Sequence, residues 1–119
     1  MSSWSLVYAI LANHRQPEDV DDNSVINRLW NEASRGKGPF LSEDNTTVVA
    51  EDWDLQRLAP LVQGEGETDL SSFPQHDPPV VVRWAATDFR IDGRRRINEL
   101  VRASAPGPHT VLVLLLGSE

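Results

Sequence analysis

The sequence predicts an α+β fold, a small mixed sheet with flanking helices, and three stretches carry that expectation. Val80-Val81-Val82-Arg83-Trp84 is rich in β-branched side chains and reads as a strand. Residues 110–116, Thr-Val-Leu-Val-Leu-Leu-Leu, form a continuous apolar run of strand length, as expected of a strand central to a sheet and buried on both faces. Between them, Ile97, Leu100 and Val101 recur at helical spacing, so a helix with one inward face is expected to separate the two strands.

The remaining elements follow in chain order. Residues 4–12 could be a buried strand or a helical turn or two; Val7, Tyr8 and Ile10 favour the strand, and Asn13-His14-Arg15-Gln16-Pro17 ends it. Glu18-Asp19-Val20-Asp21-Asp22-Asn23 is acidic but lacks the glycine and terminal glutamate of a calcium loop, and reads as a solvated loop leading into a helix. Ser24 is the expected cap of an amphipathic helix through Ala33, with Val25, Ile26, Leu29 and Trp30 on one side. Arg35-Gly36-Lys37-Gly38-Pro39 stops it; the spacing of a phosphate-binding loop is absent, so this is a turn. Thr46-Thr47-Val48-Val49-Ala50 is a short strand, and Asp52 or Asp54 opens a helix bearing Leu55, Leu58, Leu61 and Val62. Gln63 to Thr68 is polar and glycine-broken, the most mobile-looking segment, and Ser71 to Pro79 is a proline-stiffened approach to the next strand. Ala85-Ala86-Thr87 links the valine-rich strand to Asp88-Phe89-Arg90-Ile91, whose alternation suits a half-exposed hairpin strand. Ala105-Pro106-Gly107-Pro108 breaks the chain before the last strand, and Gly117-Ser118-Glu119 is a tail.

Chemistry concentrates at Asp92-Gly93-Arg94-Arg95-Arg96. Asp92 is expected to cap the helix, its carboxylate accepting first-turn N–H bonds, and Gly93 lets the backbone approach whatever lies over the turn. Arg94 and Arg96 fall at the edges of the apolar face, while Arg95 points away and can pair with Glu99. Three cations at a helix start oppose the helix dipole, and a local cost beside free N–H donors marks an anion site; the alternative is a solvated basic helix start.

Charge is divided along the chain. The 119 residues carry a net charge of -7, but residues 1–80 hold 5 basic and 14 acidic side chains, and residues 81–119 hold 6 basic and 4 acidic. A surface this acidic repels a nucleic-acid backbone, so extended duplex DNA binding is not expected, and a small anionic ligand suits the local basic patch better. With no cysteine, disulfides, thiolate metal sites and cysteine nucleophiles are excluded. His14, His76 and His109 stand isolated in the sequence; His76-Asp77 matches a metal-binding dipeptide but has no partner at fitting spacing. The apolar runs are too short to span a bilayer and no basic leader precedes the first, so a single domain in the cytoplasm is expected.

The order Pro79-Val80-Val81-Val82-Arg83, then Asp92-Gly93-Arg94-Arg95-Arg96-Ile97, then Thr110 to Leu114 resembles the ParB/sulfiredoxin-like family over roughly residues 77–116. Asn13 and Gln16-Pro17 faintly resemble that family's first box. The resemblance implies a ParB/sulfiredoxin-like fold over residues 1–119, with a nucleotide or other phosphate-bearing ligand held by Gly93, Arg94, Arg95 and Arg96, Asp92 fixing the turn, and Mg²⁺ bridging if a triphosphate binds. Arg94 stands where nucleotide-hydrolysing members have Glu and sulfiredoxins have Cys, so sulfiredoxin chemistry is excluded and turnover is left open. Glu99 stands where the family has a small inward Ala. The chain ends at the fold's last strand, so DNA gripping through a helix-turn-helix is not expected. Two rival readings stand beside ligand binding. One is a non-catalytic acidic module that docks a basic protein partner; the other is a ParB-like nuclease or phosphotransferase.

Overall fold

The computed structural model describes residues 3–62 and 77–117. The polar segment Gln63 to Thr68, the stretch from Ser71 to His76 and the last two residues of the tail lie outside the described residues. Eight elements are arranged in the order α1 (Ser3–Leu11), α2 (Asp22–Ser34), β1 (Thr46–Trp53), α3 (Leu55–Leu58), β2 (Val80–Trp84), β3 (Thr87–Asp92), α4 (Arg94–Arg102) and β4 (His109–Leu116). A 3₁₀ turn, Ala59–Leu61, continues α3, and another, Ala12–His14, continues α1.

The four strands form one sheet in the order β1-β4-β2-β3. β4 is antiparallel to β1 and parallel to β2, and β2 and β3 form an antiparallel hairpin. The sheet is therefore mixed, and the α+β class expected from the sequence is the one observed. β4 lies inside the sheet, as its unbroken apolar run requires. Its side chains alternate between two cores: Leu112, Leu114 and Leu116 join one, Val111 and Val113 the other.

The first core is closed by α1 and α2, through Val7, Ile10, Leu11, Val25, Ile26 and Trp30. The second is closed by α3 and α4, through Leu58, Ile97 and Leu100, with Val101 packed at its margin. Helices thus cover both sheet faces, which is why β4 has no polar alternate positions from Val111 onward.

Three local expectations are corrected. Residues 3–11 form a helix, not a strand: Val7, Ile10 and Leu11 are the buried positions, a helical i, i+3, i+4 spacing that overrides the β-propensity of Val, Tyr and Ile. The α2 cap is Asp21, not Ser24. Its carboxylate accepts from the Ser24 backbone N–H at 2.8 Å and from the Ser24 hydroxyl at 2.9 Å, and these bonds hold it below the usual carboxylate range. β1 runs on to Trp53, three residues past the expected end, before Asp54 caps α3 by accepting from Arg57 N–H at 3.0 Å.

Candidate anion site at the start of α4

The hairpin delivers the chain from β3 into α4 through a single residue, Gly93. Its φ of 95° is left-handed backbone, and a Cβ there would sit 2.7 Å from Pro79 Cα. Both demands are met by glycine alone, so the turn is pressed against the proline that precedes β2.

Gly93 is also the N-cap of α4, and this corrects the expected role of Asp92. No side chain caps the helix; the first intrahelical bond runs from Ile97 N–H to the Gly93 carbonyl at 2.9 Å. Asp92 is still the last residue of β3, and its carboxylate turns to His14, with Nε2 2.6 Å from Oδ1. That contact joins residues 78 apart in sequence, so His14 is not isolated in the fold. Arg28 of α2 holds the same segment, donating to the His14 carbonyl and pairing with Asp19 at 3.0 Å. The loop after α1 is thereby tied to the end of β3, next to the α4 start.

The three arginines do not converge. Successive residues of an α-helix are about 100° apart, so Arg94, Arg95 and Arg96 fan through about 200°. Arg94 and Arg95 are exposed. Arg96 is half-buried, pairs with Glu99 at 3.3 Å, and lines a cleft beside Leu100. Glu99 is met by Arg96, three residues before it on the helix. The arginine brought towards Arg94 is Arg90 of β3. Burial disfavours the charged form of Arg90 and the nearby Arg94 disfavours it further, while Asp92 works the other way. Together, residues 90–99 hold four arginines against Asp92 and Glu99.

A second group of charges on the same sheet face went unnoticed in the sequence. Arg83 donates to both carboxylate oxygens of Glu51 at 3.0 Å and to Asp88 at 2.7 Å. Arg57 lies 3.5 Å from Glu51 and 3.8 Å from Asp88, with its guanidinium 4.4 Å above the Trp53 ring. The Trp53 indole N–H also donates to Glu51 at 2.9 Å. Hydrogen bonds from Arg83 and then Trp53 pull the Glu51 carboxyl down to about 2, and those two carboxylates push Arg83 well above its ordinary value. Glu51, Arg57, Arg83 and Asp88 come from four different elements, so only the folded chain assembles them.

Among the described residues, no group of three or more His, Asp or Glu is placed to hold a metal ion, and no helix is long and apolar enough to cross a membrane. Comparison with family models, with curated proteins and with solved structures finds no match.

Proposed function

We propose that the start of α4 binds a phosphate-bearing ligand, a nucleotide included, in a domain of ParB/sulfiredoxin-like character. The observation that carries the reading is the helix start itself: exposed Arg94 and Arg95 open a helix capped by Gly93 and by no side chain, and Arg94 adds to the burial that disfavours charge on Arg90. Cations are unfavourable at that end of a helix, and one anion would relieve both the repulsion and the dipole conflict. Asp92, the carboxylate next to the helix start, is directed to His14, which supports access for an outside anion.

In this reading the backbone N–H groups of Arg94, Arg95 and Arg96 and the guanidinium groups of Arg94 and Arg95 meet phosphate oxygens. Arginine suits the task because its fork binds two such oxygens at once. Gly93 sets the turn. Mg²⁺ would arrive with a triphosphate, since it commonly keeps substrate phosphates and one or two carboxylates as ligands, and Asp92 is the carboxylate adjoining the turn.

Calorimetric titration with CTP, ATP and GTP, with and without Mg²⁺, tests the reading beside an Arg94→Ala/Arg95→Ala control. Micromolar binding lost in the control is expected. Absence of heat with every nucleotide and with pyrophosphate would overturn it and favour an acidic surface that docks a basic protein.

One observation favours turnover as a second reading. A histidine held by a carboxylate is an arrangement suited to general acid–base work, and His14–Asp92 is such a pair beside the α4 start. Phosphodiester or nucleotide hydrolysis that survives purification and vanishes in His14→Ala would support it. Turnover unchanged in His14→Ala would exclude this pair.

A further inference from the structure

A cleft of about 380 Å³ lies along the side of α4, bounded by Asp77-Pro78-Pro79, by Arg96 and Leu100, and by Pro108-His109-Thr110. Its volume lies in the range of small-molecule sites, about 300–1,000 Å³. It adjoins the helix tip through Arg96 and Pro79 but opens along the side of α4, towards Leu100, Pro108 and His109.

Pro78 and Pro108, with Leu100 behind them, supply the rigid apolar part of the wall, which favours a flat ring that needs no induced closure; Pro79 is buried under the Gly93 turn. Arg96 supplies the cation: one of its terminal nitrogens meets Glu99 at 3.3 Å, and its side chain stays one-third exposed. His109 Nε2 lies 3.1 Å from the Ala105 carbonyl. A carbonyl only accepts, so Nε2 carries the hydrogen in this contact and Nδ1 is the ring nitrogen left to accept. Asp77 adds a second acceptor, and the Thr110 hydroxyl, in weak contact with Asp52 at 3.4 Å, can donate or accept. The walls therefore offer one cationic donor, two acceptors and flat apolar faces.

We infer that this cleft is a second binding site, for a small planar heterocycle that carries one anionic group and at least one ring N–H. The anionic group meets Arg96, the ring lies against Pro78 and Pro108, and the ring N–H donates to Asp77 or to His109 Nδ1. The anion can be a carboxylate or a phosphate, since Arg96 meets the same paired oxygens in either. The site does not depend on phosphate binding at the helix tip.

Titration of the ¹⁵N-labelled full chain with orotate and with UMP tests the inference, with acetate and pyrophosphate as ringless controls. Either ring-bearing anion is expected to shift the Leu100, His109 and Thr110 amides saturably, and the controls are expected to leave them in place. Orotate alone would assign the carboxylate class, and UMP alone the phosphate class. His109→Trp, a substitution at the strand start in phase with Val111 and Val113 on the α4 face, should fill the cleft and abolish the shifts. Arg96→Gln should weaken binding about tenfold, the scale of one charge-assisted hydrogen bond. No saturable shift with either ring would overturn the inference, as would shifts that persist in His109→Trp or that pyrophosphate reproduces. Pyrophosphate shifts confined to residues 94–96 report on the helix tip alone, so the two sites fail or succeed separately.

Discussion

Two groups of arginines share one face of the sheet and are treated in opposite ways. Arg83 and Arg57 are balanced one for one by Glu51 and Asp88, within hydrogen-bond or ion-pair reach and over the Trp53 ring. Along residues 90–99, by contrast, the sequence sets four arginines beside two carboxylates, and one of those, Asp92, is directed to His14. The balanced group holds β1, β2, β3 and α3 together and needs nothing from outside. The unbalanced group has local repulsion built into it, which is the arrangement an anionic ligand would complete. Stability and binding should therefore separate cleanly between the two.

The largest stability effect is expected at the turn itself. Gly93→Ala meets both a left-handed backbone angle and the nearby Pro79, and should cost about 3 kcal/mol in denaturant unfolding. A cost under about 1 kcal/mol would mean that the turn relaxes freely and that glycine is there for the ligand instead. Next comes the balanced group. Arg83→Met leaves two carboxylates without their main partner and should cost about 2 kcal/mol, less than a fully buried pair because the side chains are about a quarter exposed. Ligand affinity at α4 should stay unchanged, and a parallel loss of binding would erase the distinction between the two groups.

Acid sharpens the same point. The folded-state value of Glu51 lies near 2, below its ordinary 4.5, so its contribution is fully present above about pH 4.5 and is lost as pH falls towards 2. Arg83→Met should flatten this acid limb when unfolding is followed from pH 5 to pH 2. An identical limb in both proteins would assign the acid sensitivity to other carboxylates.

At the unbalanced group the pattern should invert. Arg94→Ala/Arg95→Ala should weaken phosphate-ligand binding at least about tenfold, while stability without ligand stays within about 0.5 kcal/mol or rises, because cations at a helix start are unfavourable. Marked destabilisation would show these arginines to be structural. The smallest effect is expected at His14→Ala, about 1 kcal/mol for one hydrogen bond, and a double-mutant cycle with Asp92→Asn should recover most of it as coupling.

Much of the framework could be read in the residues themselves. The valine-rich β2, the hairpin strand β3, the amphipathic α4 and the doubly buried β4 each carry a period or run that admits one reading. α1 was harder, because an apolar stretch of nine residues fits strand and helix alike; the spacing of Val7, Ile10 and Leu11 held the answer, and β-branched composition masked it. Of the candidate site, the arginine run and its glycine were legible. Its electrostatics were not, because His14 and Asp92 meet only when β3 lies beside the loop after α1, and Arg90 is buried only once β3 is part of the sheet. The Glu51–Arg83–Asp88–Arg57 group was invisible for the same reason: strand register, not spacing, puts those side chains together.

The central claim is that the N–H groups opening α4 meet phosphate. The most direct test is a pyrophosphate titration followed by ¹⁵N–¹H spectra of the intact chain. The account predicts saturable downfield shifts greatest at the amides of Arg94, Arg95 and Arg96, lost in Arg94→Ala/Arg95→Ala. Shifts absent from those amides, or spread evenly over the basic surface without saturation, would contradict it.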